Sequence, residues 1–272
     1  MILREKLLAQ LAAQGSARDY QRLAADVLGI RGASPALART LVEQALVMED
    51  WRERWRSVGE CAVRTAPSAP GVYVFRDWAG AVLYVGKAVN LRRRLAAHFV
   101  DRRWRTLPPA LARVTTVEWQ GVGSEIEALL REAILIRELQ PVVNVQRAAP
   151  TLGTRAIPAS LVRDVVLVLP SIDADAAELL AARGDGATWL QSTLRNGADL
   201  ANHTRQLWKF FGRHACVAGD SSAALVFSWL AARGQGTTRV HPGDAGSALE
   251  LRRQLGQLLA DRDVFAERLA AI

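Results

Sequence analysis

Cysteine is scarce in this chain: Cys61 and Cys216 are the only two in 272 residues. They lie far apart, with no paired spacing that would frame a disulfide or a thiolate zinc site. Both read as small core or surface residues. Histidine is nearly as sparse, and His98, His203, His214 and His241 fall at no metal-ligand spacing. No stretch approaches the ~20 consecutive apolar residues that a membrane-spanning helix needs. The opening MILREKLLAQLAAQGSA interleaves charges with its apolar residues, so it does not read as a secretory signal. Fixed-period repeats and low-complexity tracts are missing as well. These absences argue against a disulfide scaffold, a cysteine or histidine metal centre and a membrane partner, and the expectation is a soluble, cytoplasmic protein. What is present is ordinary globular material, 50% hydrophobic and 23% charged, in a chain long enough for two or three modest domains.

The formal net charge of +8 is unevenly spread. Residues 1–69 hold 10 Lys/Arg against 8 Asp/Glu, residues 70–150 hold 12 against 7, and residues 151–272 hold 13 against 12. The excess therefore sits in the middle third. Within it, Lys87, Arg92, Arg93, Arg94, Arg102, Arg103 and Arg105 face Asp101 alone. Such a cluster is either a solvated basic surface or a local field that draws a polyanion.

Residues 1–66 read as a helical region, with a Gly/Ser/Pro break at RGASP. A proline-rich joint, TAPSAPG, switches the pattern to GVYVF and AVLYVG, two β-rich runs joined by RDWAG. That is a hairpin signature, with Gly80 available for positive φ. VNLRRRLAAHF follows as a helix capped by Asn90, and ARVTTVEWQ as a third strand. GSEIEALLREAILIREL is a second helix, with Ser124 and Glu127 in a capping box and Pro141 beyond its end. The unit spans residues 67–148. Residues 149–160 read as a linker, and 161–272 as an α/β accessory domain in which strands alternate with helices. Its segment RNGADLANHTRQLWKFF reads as an amphipathic structural helix, with DNA contact as the lesser reading.

Several residues of the middle unit ask for a reason. Glu132 has Ala128, Leu129, Leu135 and Ile136 as its helical neighbours, so a carboxylate interrupts an apolar stripe. It is either an edge residue reaching water or an arginine, or a carboxylate with a partner still to be supplied. In the arginine triplet, Arg94 lies about 60° from Leu91 around the helix, closest to the buried edge. Arg92 and Arg93 lie about 100° and 200° away, towards solvent or diffuse backbone contacts. Tyr73 and Tyr84 occupy opposite arms of the hairpin, where each alone is ordinary packing. Asn144 alone reads as a turn or strand-end residue.

Jointly, GVY at 71–73, YVG at 84–86, the following GKAVNLRRRL and the distal SEIEALLREAILIRELQPVVNV resemble the GIY-YIG nuclease superfamily. Within it they are most similar to the UvrC amino-terminal incision domain and the Cho-type endonucleases. The resemblance implies an α/β (α+β) module with a three-stranded antiparallel sheet flanked by helices, and a metal-dependent endonuclease that cuts one strand of damaged or structured DNA. It implies catalytic roles for Tyr73, Tyr84, Lys87, Arg94, Glu132 and Asn144. Glu132 would hold one divalent cation, Mg²⁺ or Mn²⁺, leaving most coordination positions to water and phosphate. Arg94 would stabilise charge on the phosphate, and Tyr73 or Tyr84 would help activate water, with Lys87 or the metal easing proton loss. Asn144 would orient the site. Lys87, Arg92, Arg93, Arg94, Arg102, Arg103 and Arg105 would bind DNA, with Phe99 and Trp104 supporting displaced bases. Repair-complex proteins are the expected protein partners, and no oligomeric state is implied. The match covers residues 67–148, and neither a helix-hairpin-helix pair nor a second nuclease centre is legible beyond it. A noncatalytic DNA-binding or repair-scaffold protein on the same fold is the alternative from a different class; a mobile-element or restriction-type nuclease is the alternative among enzymes.

Overall fold

The structure, a computed structural model, describes residues 3–15, 18–99, 109–146, 157, 161–212, 222–233 and 236–261. Asp101, Arg102, Arg103, Trp104, Arg105, His214, Cys216 and all of the 149–160 linker except Ile157 lie outside the described residues.

Helices α1 (Leu3–Ala13), α2 (Tyr20–Asp26) and α3 (Pro35–Thr65) form the N-terminal region. Ser34 accepts from the Leu37 N–H and Pro35 occupies the first helical position, where its missing donor costs nothing. Leu7, Leu23, Ala24, Ala38 and Val42 bury one another, a small core formed by the first half of α3 with α1 and α2. The second half of α3 belongs to the next unit. There Trp55, Ala62 and Ala66 share a core with Tyr73, Phe75, Leu91, Leu95 and Phe99.

That unit is built on a three-stranded antiparallel sheet of order β2-β1-β3, from β1 (Gly71–Asp77), β2 (Val82–Ala88) and β3 (Val114–Gly121). The hairpin turn forms as its sequence indicates. Asp77 accepts from the Ala79 and Ala81 N–H groups at 3.0 Å each, and Gly80 takes φ +80°. Helix α4 (Leu91–Phe99) starts where Asn90 Oδ1 accepts from the Arg93 N–H at 2.9 Å. Helix α5 (Glu125–Leu139) starts at Ser124, whose hydroxyl accepts from the Glu127 N–H. The capping box is not reciprocal: Glu127 Oε2 accepts from the Gly123 N–H and Oε1 from Arg131. Helix α5 ends on Gln140 in the left-handed region before Pro141, and α6 (Val142–Gln146) follows.

The accessory unit departs from the expected alternation. Strands β4 (Val165–Pro170), β5 (Ala176–Ala182) and β6 (Thr188–Leu194) run as a consecutive antiparallel meander, joined by β7 (Arg239–Val240) in the order β6-β5-β4-β7. AAELLAA, built from good helix formers, is a strand because it pairs residue for residue with β4 and β6 and is buried between them. Helices α7 (Leu200–Phe211) and α9 (Ala248–Ala260) cover one face through Leu200, Leu207, Leu251 and Leu255. Helix α8 (Ser222–Arg233) covers the other, together with Ile126 and Leu130 of α5. Helix α5 is thus buried from two sides: it packs on β1 and β2 and also under the accessory sheet. Among the described residues no helix is long and apolar enough to cross a membrane.

Candidate active site

Strand β2 is an edge strand, so the backbone donors that point away from β1 need partners from elsewhere. Two of the residues singled out in the sequence supply them. Asn144 mimics a neighbouring strand: its Oδ1 accepts from the Val85 N–H at 2.8 Å and its Nδ2 donates to the Val85 carbonyl at 2.9 Å. Two residues along, the Lys87 N–H donates to Glu132 Oε1 at 2.9 Å. The carboxylate that interrupts the apolar stripe of α5 is therefore turned onto the edge of β2. Its second oxygen has no hydrogen-bond partner among the described residues. Burial pushes the Glu132 carboxyl above the usual carboxylate range, against the pull of the Lys87 N–H and the charges of Lys87 and Arg94.

The tyrosines meet as the hairpin register dictates. Tyr73 lies opposite Gly86 and Phe75 opposite Tyr84, which leaves the two phenol rings 6.0 Å apart. Gly86 makes this possible, because a Cβ there would fall 2.5 Å from the Tyr73 hydroxyl oxygen and 2.8 Å from the Tyr84 ring. Tyr73 is fully buried and Tyr84 half-buried. Arg94 Nε donates to the Tyr73 oxygen at 3.4 Å, and Tyr73 OH lies 2.7 Å from His98 Nε2. Burial, reinforced by Tyr84, pushes the Tyr73 phenol far above its ordinary value, while Arg94 opposes the shift without cancelling it. Tyr73 is held as a neutral hydroxyl.

Lys87 is half-buried, with its ammonium 3.3 Å from Glu125 Oε1. Tyr73, Tyr84, Lys87, Arg94, Glu132 and Asn144 thus converge around the paired strands β1 and β2, from five elements. The sequence reading passed over His98 and Glu125. His98 was weighed only as a metal ligand, yet it stands one turn after Arg94 on the same face of α4, a spacing that could have flagged it.

Two residues given DNA-facing roles also have partners within the protein. Arg92 Nε donates to the Ala66 carbonyl at 2.9 Å, tying α4 to the end of α3. Phe99 is no base platform: it is buried against Trp55, ring centroids 4.4 Å apart, because its helical position faces the core. Arg93 is exposed on α4. In the accessory unit, α7 buries Leu200, Thr204 and Leu207, and Arg195 donates to the Ala174 carbonyl, consistent with a structural helix.

The residues fit a single hard cation. Glu132 offers one free carboxylate oxygen, and among the described residues no group of three or more His, Cys, Asp or Glu could form an all-protein cage. Mg²⁺ and Mn²⁺ accept such a site, filling the remaining positions with water and substrate oxygens.

Residues 69–145 match the family model for the UvrC-like GIY-YIG domain. The UvrABC system protein C of Corynebacterium diphtheriae is 46% identical over 86 residues, 30% of this chain and 12% of that protein. The same protein of Rhodococcus erythropolis is 47% identical over 89 residues, 31% of this chain and 12% of its own length. The match thus spans about an eighth of these relatives. Among solved structures, the GIY-YIG N-terminal endonuclease domain of UvrC from Thermotoga maritima, bound to magnesium as its catalytic divalent cation, is 30% identical. It covers 32% of this chain and 94% of that domain, with a TM-score of 0.29.

Proposed function

We propose that this chain, whose residues 69–145 form a UvrC-like GIY-YIG nuclease domain, is a metal-dependent endonuclease that hydrolyses a phosphodiester bond in one strand of damaged or structured DNA. The observation that carries this reading is the convergence of Glu132, Lys87, Arg94 and the tyrosine pair at one end of the β1–β2 hairpin. A half-buried carboxylate with an unused oxygen, beside an arginine fork and a half-exposed hydroxyl, suits a phosphate diester and an attacking water.

Glu132 would hold the cation through its free oxygen, while the Lys87 N–H fixes the other oxygen so that the carboxylate cannot turn away. The bound cation supplies Lewis-acid polarisation of the phosphate and a more acidic water. Arg94 is exposed on α4 with its Nε on Tyr73, so its remaining donors face outward to meet the developing negative charge. Tyr84 is placed to take the proton from water as a phenolate, its own proton having passed to solvent. Tyr73 is too deeply buried to become an anion, and with His98 it fixes the position of Tyr84 and Arg94. Asn144 holds β2 in register from its free edge. Products are a nicked strand with phosphate and hydroxyl ends.

A cytoplasmic setting and partners in a DNA-repair complex follow from the same likeness. Arg93 and the stretch from Arg102 to Arg105 would contact backbone phosphates. The test is incubation of the purified chain with nicked, bubble, flap and lesion-bearing duplexes in Mg²⁺ or Mn²⁺, with fragment ends mapped. Incision that disappears in Glu132→Gln and Arg94→Ala is expected. Equal cleavage by those variants, or DNA binding without cleavage across the panel, overturns the assignment.

A further inference from the structure

Glu125, the first residue of α5, has a carboxylate shared between two parts of the molecule. From the nuclease sheet, Lys87 Nζ approaches Oε1 at 3.3 Å. From the accessory unit, Arg233, the last residue of α8, places Nη1 2.6 Å from both oxygens. Two cations compete for one acceptor, and Arg233 has the closer contacts. Burial alone would push the Glu125 carboxyl up, but Arg233 and Lys87 outweigh it and hold it below the usual value, so the group is charged at neutral pH.

Arg233 is held there by packing as well as by charge. Val226, Phe227 and Leu230 of α8 share a core with Ile126 and Leu130 of α5. Just before α5, a Cβ on Gly123 would fall 1.9 Å from the Pro170 carbonyl oxygen, so the helix start lies directly against the end of β4. The Arg233 side chain itself is 63% exposed, which leaves its contact with Glu125 as the feature to explain. Arg233 lies 108 residues from Glu125 in sequence and outside the matched nuclease domain.

We propose that Arg233 is a positioning residue for the nuclease site: by occupying both oxygens of Glu125 it loosens the hold of Glu125 on Lys87. The Lys87 ammonium is then available to a phosphate beside Glu132. This rests on the nuclease reading above. Without Arg233, Glu125 keeps its negative charge and has Lys87 as its remaining cation, so the ammonium is drawn onto the carboxylate and away from substrate. Removing the charge of Glu125 removes the competition.

The test measures cleavage by the full chain in Mg²⁺, on whichever panel substrate the wild type cuts, for Arg233→Ala, Arg233→Lys, Glu125→Gln and the Glu125→Gln/Arg233→Ala pair. Arg233→Ala is expected to lower kcat about 3- to 10-fold with KM and melting temperature nearly unchanged, a coupling of ordinary size for contacting charges. Arg233→Lys retains most of the rate, and the double variant returns to the level of Glu125→Gln. A merely structural role would leave the double variant as slow as Arg233→Ala. That result, or wild-type kcat in Arg233→Ala, overturns this inference alone. A wild-type chain that cuts nothing overturns the nuclease reading together with it.

Discussion

The three-stranded and the four-stranded sheets both bury charge, and they treat it differently. In the accessory sheet, Glu178 is 8% exposed and receives the Ser171 hydroxyl at 2.8 Å, while the equally buried Arg183 is engaged by Asp185, the Phe210 carbonyl and the Phe210 ring. These charges serve packing: their partners come from the same unit and hold its strands and helices together. In the nuclease sheet, Glu132 receives a single N–H and keeps an oxygen unmatched, and Arg94 has one 3.4 Å bond to Tyr73 with its guanidinium near solvent. The contrast teaches that burial by itself does not mark a site. Nor does an unmatched oxygen, since Glu178 also has a single hydrogen bond; what distinguishes Glu132 is the company of Lys87, Arg94 and the tyrosine pair.

The largest expected effect separates the two glutamates. Glu132→Gln should lower the single-turnover cleavage rate by 10²–10³-fold or more, of the order seen when one transition-state contact is removed. Glu178→Gln should leave that rate unchanged. Comparable losses in both would erase the distinction between the sheets. Next comes the tyrosine pair: Tyr84→Phe is expected to cost about 10²-fold in kcat as loss of a proton acceptor. Tyr73→Phe should cost less and show in altered positioning rather than in the acidic limb of the pH profile. If Tyr73→Phe is the more damaging, the roles are exchanged.

A smaller effect is set by pH. Burial raises the Glu132 carboxyl above the usual range, so the protonated, non-binding form persists to higher pH than for an exposed glutamate. Metal affinity should fall as pH drops through that raised value and recover above it. A metal titration repeated across acidic pH would show this as weakening that begins above 4.5, the ordinary glutamate value. The smallest effect is on stability: Gly86→Ala forces a methyl against Tyr73 and should cost about 1–3 kcal/mol, read from denaturant unfolding.

Much of the nuclease unit was readable in the sequence because its signals are local. The hairpin turn at Asp77–Gly80, the Asn90 and Ser124 caps and the position of Arg94 at the buried edge of α4 all follow from spacing of a few residues. The tyrosines and Asn144 acquired meaning only from the joint pattern, since each alone is unremarkable. What was hidden depends on distance in sequence. Nothing near Glu125 announces Arg233, and nothing near Arg92 announces the Ala66 carbonyl that takes its side chain. Strand β5 was obscured for a related reason: Ala, Glu and Leu favour helix, and pairing with β4 and β6 overrides that preference.

The central claim is that Glu132 is an incomplete ligand waiting for one hard cation. Calorimetric titration of Mn²⁺ into the wild-type chain and Glu132→Gln at neutral pH, with melting temperature confirming that both are folded, tests it most directly. One bound ion in the wild type and none in Glu132→Gln is expected. The same binding in both chains would contradict the claim.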